Sequence, residues 1–365
     1  MKLQRSGLLA GIALTATLSL VACGSDNNTA SPSGGGASAA AQNCAAGDLT
    51  AQGSTAQKNA MDEWIKTYQG QCSNAKINYQ GTGSGAGIQA FISGTADFAG
   101  SDSALKPEEQ PQADAKCAGG QALNLPMLVG PIAVVYNLDG VDNLQLSSST
   151  IAKIFSGKVT KWNDPAIAAE NSGAQLPATT IETVHRSDES GTTDNFTKYL
   201  SKTAPSDWTY GNAKAWKAPG GTGAAKSDGV AARVKSTPGT ISYVELSFAE
   251  NSDLKKAKIK NGAGEYTELT PESAGKTIEG AKVAGTGNDL KLDIDYSTTT
   301  AGAYPIVLVT YEIVCSKGSP KAAAIKGFLT YTSSTGGQGA LAELGYGPLP
   351  ETMRTKVSAS VAAIA

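Results

Sequence analysis

The sequence predicts an α/β fold, and three observations support this prediction. Hydrophobic residues make up 40% of the 365 residues and charged residues only 17%, so most of the chain can bury a core. From residue 48 onwards, strand-like runs alternate with stretches of helical spacing, which is typical of parallel strands joined by helices. The 42 glycines indicate many tight turns. A chain of this length can form two ordinary domains.

The first elements in the chain follow this alternation. The strand-like "LTAQGST" precedes "AQKNAMDEWIKTYQG", whose Ala60, Trp64 and Tyr68 fall at helical spacing. The alternating "AKINYQG" then leads through a glycine-rich turn into a second predicted helix. The long β-branched run "LNLPMLVGPIAVVYNL" predicts a strand that is buried on both faces or crosses between domains.

The second half repeats the pattern. "SSSTIAKIF" predicts a helix, "IETVHRSDESGTTDNFTKYL" a strand, turn and helix, and "TPGTISYVELSFAEN" a further strand. The late strand "AYPIVLVTYEIVC" is expected to rejoin the first sheet, and a closing helix follows it. The charged stretch 251–300 is expected to lie on the outer surface with no further role.

The N-terminus has the pattern of a bacterial lipoprotein signal. "MKLQR" is basic, the following 17 residues are apolar, and the segment ends in "LVAC" at Cys23, which resembles a lipobox. We therefore predict a lipoprotein signal peptide over 1–23, lipidation at Cys23 and a flexible tether over 24–45. The alternative is an ordinary secretory signal with a chance cysteine. Either way the chain is exported; a lipid would hold it at the outer face of the cytoplasmic membrane.

The remaining cysteines are those of an exported protein. Cys44, Cys72, Cys117 and Cys315 predict two disulfides, for which three connectivities are possible. Sequence separation favours Cys44–Cys72 and Cys117–Cys315. A single histidine makes a Cys/His metal site improbable, and a net charge of −2 argues against a nucleic-acid partner. We expect neither a metal nor a cofactor.

Four turns rich in glycine and hydroxyl residues suggest an anion site. They cover 53–56, 81–87, 100–102 and 186–192, and each is predicted to begin a helix. Helix N-termini carry unpaired amides and bind anions, and Arg186 adds a planar charged fork. The alternative is that these residues are ordinary helix caps.

Catalytic alternatives find little support. "GTGSGA" fits a dinucleotide-binding fingerprint, but the predicted export of the chain argues against a dinucleotide cofactor. The glycines are not followed by the lysine that a P-loop requires. A secreted phosphomonoesterase would need a base or a metal, yet His185 is the sole histidine and its neighbour Arg186 disfavours an imidazolium. We expect His185 to pack structurally. A surface adhesion or signalling module is a further alternative.

Several segments together are similar to one family. "NYQGTGSGAGIQAFISGTADFAGSDSAL", "IFSGKVTKWNDPAI", "HRSDESGTTDNFTKYL" and "ISYVELSFA" resemble the blocks of the phosphate-binding protein of the high-affinity ABC phosphate importer. The resemblance implies a type II periplasmic binding protein with two α/β lobes and a ligand cleft between them. Lobe one would cover 46–131 and 304–365, and lobe two 132–303. It further implies inorganic phosphate as ligand, ABC permease subunits as partners, a monomer and no covalent chemistry.

The resemblance also implies the ligand contacts. The implied phosphate-binding residues are Thr55, Ala56 through its amide, Ser84, Asp102, Arg186, Ser190, Gly191 and Thr192. Asp188 would orient Arg186. Some family members carry a bulky apolar residue where this chain has Ala56, so one wall of the cleft is expected to be less covered. Asp102 is a carboxylate in an anion site, and we expect it to receive a ligand hydrogen, which phosphate has and sulfate lacks.

Overall fold

The computed structural model describes residues 44–365. The predicted signal peptide, Cys23 and nearly all of the predicted tether therefore lie outside the described residues. In the part that is described, no helix is both long enough and apolar enough to cross a membrane.

Fourteen strands form within residues 44–365. They are β1 Gly47–Gly53, β2 Ala75–Gly81, β3 Phe98–Ser101, β4 Ala122–Tyr136, β5 Gln145–Leu146, β6 Glu182–Arg186, β7 Thr222–Ala224, β8 Thr240–Glu245, β9 Lys255–Lys256, β10 Lys258–Lys260, β11 Tyr266–Thr267, β12 Lys282–Val283, β13 Leu292–Asp293 and β14 Val307–Cys315. The six predicted strands are present, and five of the eight additional ones lie in 251–300, where each has two or three residues.

Twelve α-helices alternate with these strands over the same residues. They are α1 Lys58–Gln71, α2 Ser84–Ile92, α3 Gln110–Lys116, α4 Ser148–Phe155, α5 Pro165–Glu170, α6 Gly191–Thr203, α7 Lys226–Ser236, α8 Leu246–Asn251, α9 Pro271–Glu279, α10 Ala322–Thr332, α11 Thr335–Gly339 and α12 Glu351–Ala362. A short 3-10 helix covers Ala342–Leu344.

One nine-stranded sheet runs through the molecule. Its order is β2-β1-β3-β14-β4-β8-β6-β7, with β9 beside β4. The pairs β1–β2, β1–β3, β6–β7 and β6–β8 are parallel, as the alternation predicts, whereas β14 runs antiparallel to β3 and β4, and β4 antiparallel to β8. The prediction of a parallel sheet thus holds only at the two ends, because the central strands pair without a helical crossover between them.

Two large hydrophobic cores take up opposite ends of the long strands β4 and β14. One contains Trp162, Phe196 and Tyr243, and the other contains Trp64 and Phe328. The strands β4 and β14 are buried along their whole length and contribute to both cores. The architecture is therefore the predicted one of two α/β lobes, joined here by two long neighbouring strands.

The expectation for 251–300 was wrong. Tyr296 is only 6% exposed, and its hydroxyl donates to Asn195 Oδ1 at 2.6 Å. Asp289 Oδ1 accepts hydrogen bonds from the backbone and side-chain nitrogens of Asn124 in β4, both at 2.8 Å. The composition misleads because the charged residues of this stretch mostly face outwards while a few residues between them are buried against both cores.

Both disulfides have the connectivity that sequence separation favours. Cys44–Cys72 joins the residues before β1 to the end of α1, and Cys117–Cys315 joins the end of α3 to the end of β14. The two bonds close loops of very different size, with sequence separations of 28 and 198.

We predict that the larger loop contributes more stability. By loop-closure entropy, replacing both Cys117 and Cys315 by serine should lower the free energy of unfolding by about 5 kcal/mol, against about 3.5 kcal/mol for the same change at Cys44 and Cys72. Urea unfolding of the two double variants measures both losses. An equal loss, or a larger one for the Cys44–Cys72 pair, would contradict the loop-closure explanation.

Candidate anion site

The carboxyl ends of β1 and β3 bring the first site residues together. β1 and β3 are parallel neighbours in register Gly53↔Gly100, so their carboxyl ends meet at one edge. Ser54 and Asp102 follow these ends directly, and the Ser54 amide donates to Gly100 O at 2.8 Å. Carboxyl ends of parallel strands are the usual edge for a ligand in such sheets.

The carboxylate of Asp102 has one acceptor position to spare. Its Oδ1 accepts the hydroxyls of Ser54 at 2.5 Å and Thr310 at 2.9 Å, and its Oδ2 accepts that of Ser84 at 3.1 Å. A carboxylate offers about four lone-pair positions, so one on Oδ2 stays available. Burial raises the pKa of Asp102 to about 6; the Ser54 hydrogen bond opposes this rise and the charge of Glu245 adds to it.

The guanidinium of Arg186 is held in place with two N–H groups left over. Its Nε and Nη2 donate to Asp188 at 2.8 and 2.6 Å, and its Nη1 donates to Ser227 Oγ at 3.3 Å. Of five N–H groups, one on each terminal nitrogen remains, which is the pair that holds two oxygens of one anion. Burial lowers the pKa of Arg186, but Asp188 outweighs this effect, so the net shift is upwards and the group is charged. Arg186 and Asp188 thus form an ion pair, with Nη2 and Oδ2 2.6 Å apart.

Ser227 is a site residue that the sequence did not reveal. Its hydroxyl is fully buried and lies 2.9 Å from Thr55 Oγ1 in the other lobe, while it also accepts from Arg186. The preceding Lys226 has a φ of 63°, a strained value for a side-chain-bearing residue, and its amide donates to Asp188 Oδ1 at 3.0 Å. The only signal in the sequence is a serine near a helix start, which ordinarily indicates a cap.

The start of α6 supplies the second half of the site. Ser190 caps this helix by accepting from the Thr193 amide, and the Gly191 amide donates to Ser84 Oγ at 3.2 Å. A Cβ at Gly191 would lie 2.5 Å from the Asp102 Cβ, so only glycine allows the two lobes to approach this closely. The Thr192 hydroxyl is hydrogen-bonded to the side chain of Glu245.

Backbone amides add unpaired donors. The amides of Thr55, Ser84 and Thr192 have no hydrogen-bond partner among residues 44–365. Ser84 and Thr192 lie in the first turns of α2 and α6, where unpaired amides are expected, and Thr55 lies in the turn between β1 and α1. The Ala56 amide differs from the expectation, because it donates to Ser54 Oγ at 3.0 Å. Nor does the turn 100–102 begin a helix: β3 ends at Ser101, and the next helix starts only at Gln110. Asp102 is therefore positioned by a strand end.

Further contacts join the two sides of the site. Ser103 Oγ donates to Asp194 Oδ2 at 2.6 Å, and the buried Lys214 Nζ lies 3.0 Å from Glu109 Oε1. The Asn195 side chain donates to the Asp102 carbonyl at 2.6 Å. The site is buried. Seven of the predicted ligand residues are each at most 4% exposed, namely Thr55, Ala56, Ser84, Asp102, Arg186, Ser190 and Thr192. All the predicted ligand residues thus lie in one connected cluster.

His185 has no role in this cluster. Its ring stacks on Trp216 with centroids 4.9 Å apart, and its Nδ1 lies 2.9 Å from the Arg186 carbonyl oxygen. The structural role expected for this residue is confirmed. Within residues 44–365, no group of three or more histidines, cysteines or acids is arranged to hold a metal ion. The cluster can bind an oxyanion through hydroxyls, amides and one guanidinium, and it can accept a hydrogen at Asp102.

Comparisons with known proteins agree with this arrangement. A family model described as the PBP superfamily domain matches residues 38–335. Over 372 residues the chain is 45% identical to phosphate-binding protein PstS 3 of Mycobacterium leprae, and over 370 residues 43% identical to PstS 2 of Mycobacterium tuberculosis; each match covers 100% of both chains.

A solved structure supports the fold. It is that of a high-affinity periplasmic phosphate-binding protein bound with phosphate, with a TM-score of 0.69 and 21% identity over 86% of this chain and 93% of that one. The full-length matches above 40% identity decide the assignment. The chain belongs to the PstS family of phosphate-binding proteins, within the PBP superfamily.

Proposed function

We propose that this chain binds inorganic phosphate between its two lobes and delivers it to the permease subunits of an ABC importer. The relatives are named phosphate-binding proteins, and the fold neighbour holds phosphate. The observation that carries the proposal for this chain is the pairing of Asp102, with one free acceptor position, and Arg186, with two free N–H groups, in one buried cluster.

The proposed ligand contacts divide by chemistry. Arg186 holds two phosphate oxygens, and Asp188 and Ser227 fix its orientation. The remaining proposed contacts are the hydroxyls and amides of Thr55, Ala56, Ser84, Ser190, Gly191 and Thr192. The Ala56 amide would exchange its bond to Ser54 for one to a ligand oxygen.

Asp102 is the proposed selectivity residue. A buried carboxylate repels an anion unless the ligand brings a hydrogen to its free Oδ2 position. Phosphate keeps at least one hydrogen near neutral pH, and sulfate keeps none. Sites built to bond a ligand hydrogen discriminate against analogues without it by about 10⁴–10⁵-fold.

The proposal extends to the arrangement of the whole chain. We assign 46–131 and 304–365 to lobe one and 132–303 to lobe two. Two separate cores, which include opposite ends of β4 and β14, support this division. We further infer a monomer that is exported, anchored through Cys23 to the outer face of the cytoplasmic membrane, and without catalytic activity. The family, which consists of solute-binding proteins, supports export and a binding rather than a catalytic role. The anchor is inferred from the lipobox-like "LVAC" at Cys23.

Isothermal titration tests the ligand assignment. The purified chain should bind inorganic phosphate with a micromolar or lower Kd and should give no heat with sulfate at millimolar concentration. The same preparation should release no phosphate from p-nitrophenyl phosphate, with or without added divalent metal. Absence of phosphate binding would overturn the proposal, and metal-dependent hydrolysis would favour a phosphomonoesterase instead.

Ser227 gives a prediction about positioning. Ser227→Ala removes the acceptor for Arg186 Nη1 and the bond to Thr55, so phosphate affinity should fall about 10- to 100-fold, as expected for a hydrogen bond to a charged group. Ser227→Thr keeps the hydroxyl and should retain most of the affinity. Titration of both variants measures the effect; equal affinity of Ser227→Ala and the unchanged protein would exclude this role.

A further inference from the structure

Two consecutive residues of α6, Asp194 and Asn195, bond to two consecutive residues of lobe one. Asn195 Nδ2 donates to the carbonyl oxygen of Asp102 at 2.6 Å, and Asp194 Oδ2 accepts the hydroxyl of Ser103 at 2.6 Å. Asp194, Asn195 and Ser103 are each at most 4% exposed. Both bonds therefore run from lobe two to the turn that carries the proposed selectivity residue, and the proposed ligand contacts do not explain them.

The side-chain amide of Asn195 is held in its orientation by lobe two. Its Nδ2 also donates to the carbonyl oxygen of Gly191, one turn earlier in α6, at 2.8 Å, and its Oδ1 accepts the hydroxyl of Tyr296 at 2.6 Å. Tyr296 is itself buried in the core of lobe two. Both amide hydrogens and the amide oxygen thus have a partner, and only the bond to Asp102 crosses between the lobes.

The carboxylate of Asp194 is likewise held within lobe two. Lys198 Nζ lies 2.6 Å from its Oδ2, and Asn212 Nδ2 donates to its Oδ1 at 2.9 Å. Burial raises the pKa of Asp194, but the ammonium of Lys198 and the hydrogen bonds outweigh this effect, so the net shift is downwards and the group is ionised. The hydroxyl of Ser103 therefore donates to a charged acceptor, which gives a stronger bond than one between neutral groups.

Both side chains are ordered before they meet lobe one. Their contacts within lobe two do not depend on how close lobe one lies, whereas the bonds to Asp102 and Ser103 exist only while the lobes are together. Side chains that are already ordered lose little conformational entropy when they form such bonds. The two bonds therefore favour the arrangement of the lobes that encloses a ligand.

We propose that Asp194 and Asn195 form a clamp between the lobes, which holds the 102–103 turn against the bound anion and slows its release. This inference rests on the proposed phosphate function and deepens it. Asp194, Asn195 and Tyr296 are positioning residues in this account, because they act on the ligand only through the 102–103 turn.

Ser103→Ala is the first test, since it removes one bond of the clamp from the side of lobe one and leaves lobe two unchanged. The dissociation rate of inorganic phosphate should rise about tenfold, as expected for a lost hydrogen bond to a charged group. The association rate should change less than about twofold, because the clamp forms only after the ligand has entered. Displacement of radiolabelled phosphate by unlabelled phosphate gives the dissociation rate, and the Kd from titration then gives the association rate.

Ser333→Ala is the matched control for this variant. Ser333 is also a buried serine of lobe one, but its hydroxyl donates to the Leu329 carbonyl oxygen at 2.7 Å within the same lobe. Its removal should lower the free energy of unfolding and leave the dissociation rate unchanged.

Tyr296→Phe is the second test. It removes a single hydroxyl and leaves the Asn195 amide without the bond that fixes its orientation, so the dissociation rate should rise about 3- to 10-fold. Tyr136→Phe is the matched control, because the buried hydroxyl of Tyr136 donates to the Val141 carbonyl oxygen at 3.2 Å within lobe two. This control should release phosphate at the unchanged rate.

The outcomes separate this inference from the proposed function. If the unchanged protein binds phosphate but either Ser103→Ala or Tyr296→Phe releases it at the unchanged rate, the clamp is overturned and the proposed function stands. The clamp is also overturned if the loss of affinity lies in the association rate, or if the control variants accelerate release as much. If the unchanged protein binds no phosphate, the proposed function itself fails, and the clamp with it.

Discussion

Asp102→Asn is expected to lose most of the discrimination between phosphate and sulfate. The asparagine carries no charge, so the cost of placing a hydrogen-free anion against Oδ2 disappears. The ratio of phosphate to sulfate affinity should fall by at least about 10³-fold, a large part of the 10⁴–10⁵-fold that such a mismatch can provide. Titration of both anions at pH 8, where a carboxyl with a pKa of about 6 is ionised, measures the ratio.

A stability measurement on the same variant checks the environment of Asp102. In the folded protein the pKa of Asp102 is raised from 3.8 to about 6, so folding favours the protonated acid. The stability that Asp102 contributes is therefore fully present below about pH 4 and is lost as the pH rises through 6. The ligand-free Asp102→Asn variant avoids this loss and should be more stable above pH 6, by about 3 kcal/mol.

The matched control is Asp289→Asn, which changes a buried aspartate outside the site. It should leave the ratio of phosphate to sulfate affinity unchanged. If Asp102→Asn also retained the full ratio, the proposed role of Asp102 would be wrong.

Arg186→Lys is expected to weaken phosphate binding by about 10³-fold, although it keeps the charge. Lysine cannot bond Asp188, Ser227 and two phosphate oxygens together, because its ammonium carries three donors on one atom. Arg186→Lys weakens two charge-assisted hydrogen bonds to phosphate, each of which contributes about 1.5–3 kcal/mol. Their combined loss corresponds to a decrease in affinity of about 10³-fold. Titration with phosphate provides the measurement.

Arg233→Lys is the control for the arginine chemistry. Arg233 pairs with Glu182 at 2.7 Å in the same lobe, but its side chain is 43% exposed. This substitution should leave phosphate affinity and stability almost unchanged, since exposed ion pairs contribute little.

The result that would contradict the prediction for Arg186→Lys is a loss of phosphate affinity of less than tenfold. It would mean that the planar geometry of the guanidinium does not matter for binding.

Much of the fold could be predicted because its signals are local. The strand β2 and the helix α1 have clear hydrophobic periodicity, and β14 is a continuous, mostly apolar run. Ser190, the cap of α6, is a residue type that typically precedes a helix. The antiparallel pairing of β4 with β14 depends on contacts between residues far apart in the chain, and no local pattern encodes it. The predicted closing helix corresponds to α10, whereas the last helix, α12, was not predicted because a Gly/Pro-rich stretch precedes it.

The site was predictable to a similar degree. Asp102, Arg186 and Asp188 stand out through their chemistry and through the family resemblance. Ser227, Glu245 and Thr310 do not, since each is an ordinary polar residue in a helix or strand that reaches the site only after folding. Residues that position other side chains cannot generally be found from sequence motifs, because their role depends on the geometry of the folded chain.

A crystal structure of the chain with phosphate is the most direct test of this account. It should place one phosphate oxygen within hydrogen-bonding distance of Asp102 Oδ2 and two others on the Nη1 and Nη2 nitrogens of Arg186. Phosphate bound elsewhere, or bound with Asp102 turned away from it, would contradict the central claim that one buried acid recognises the hydrogen of the ligand.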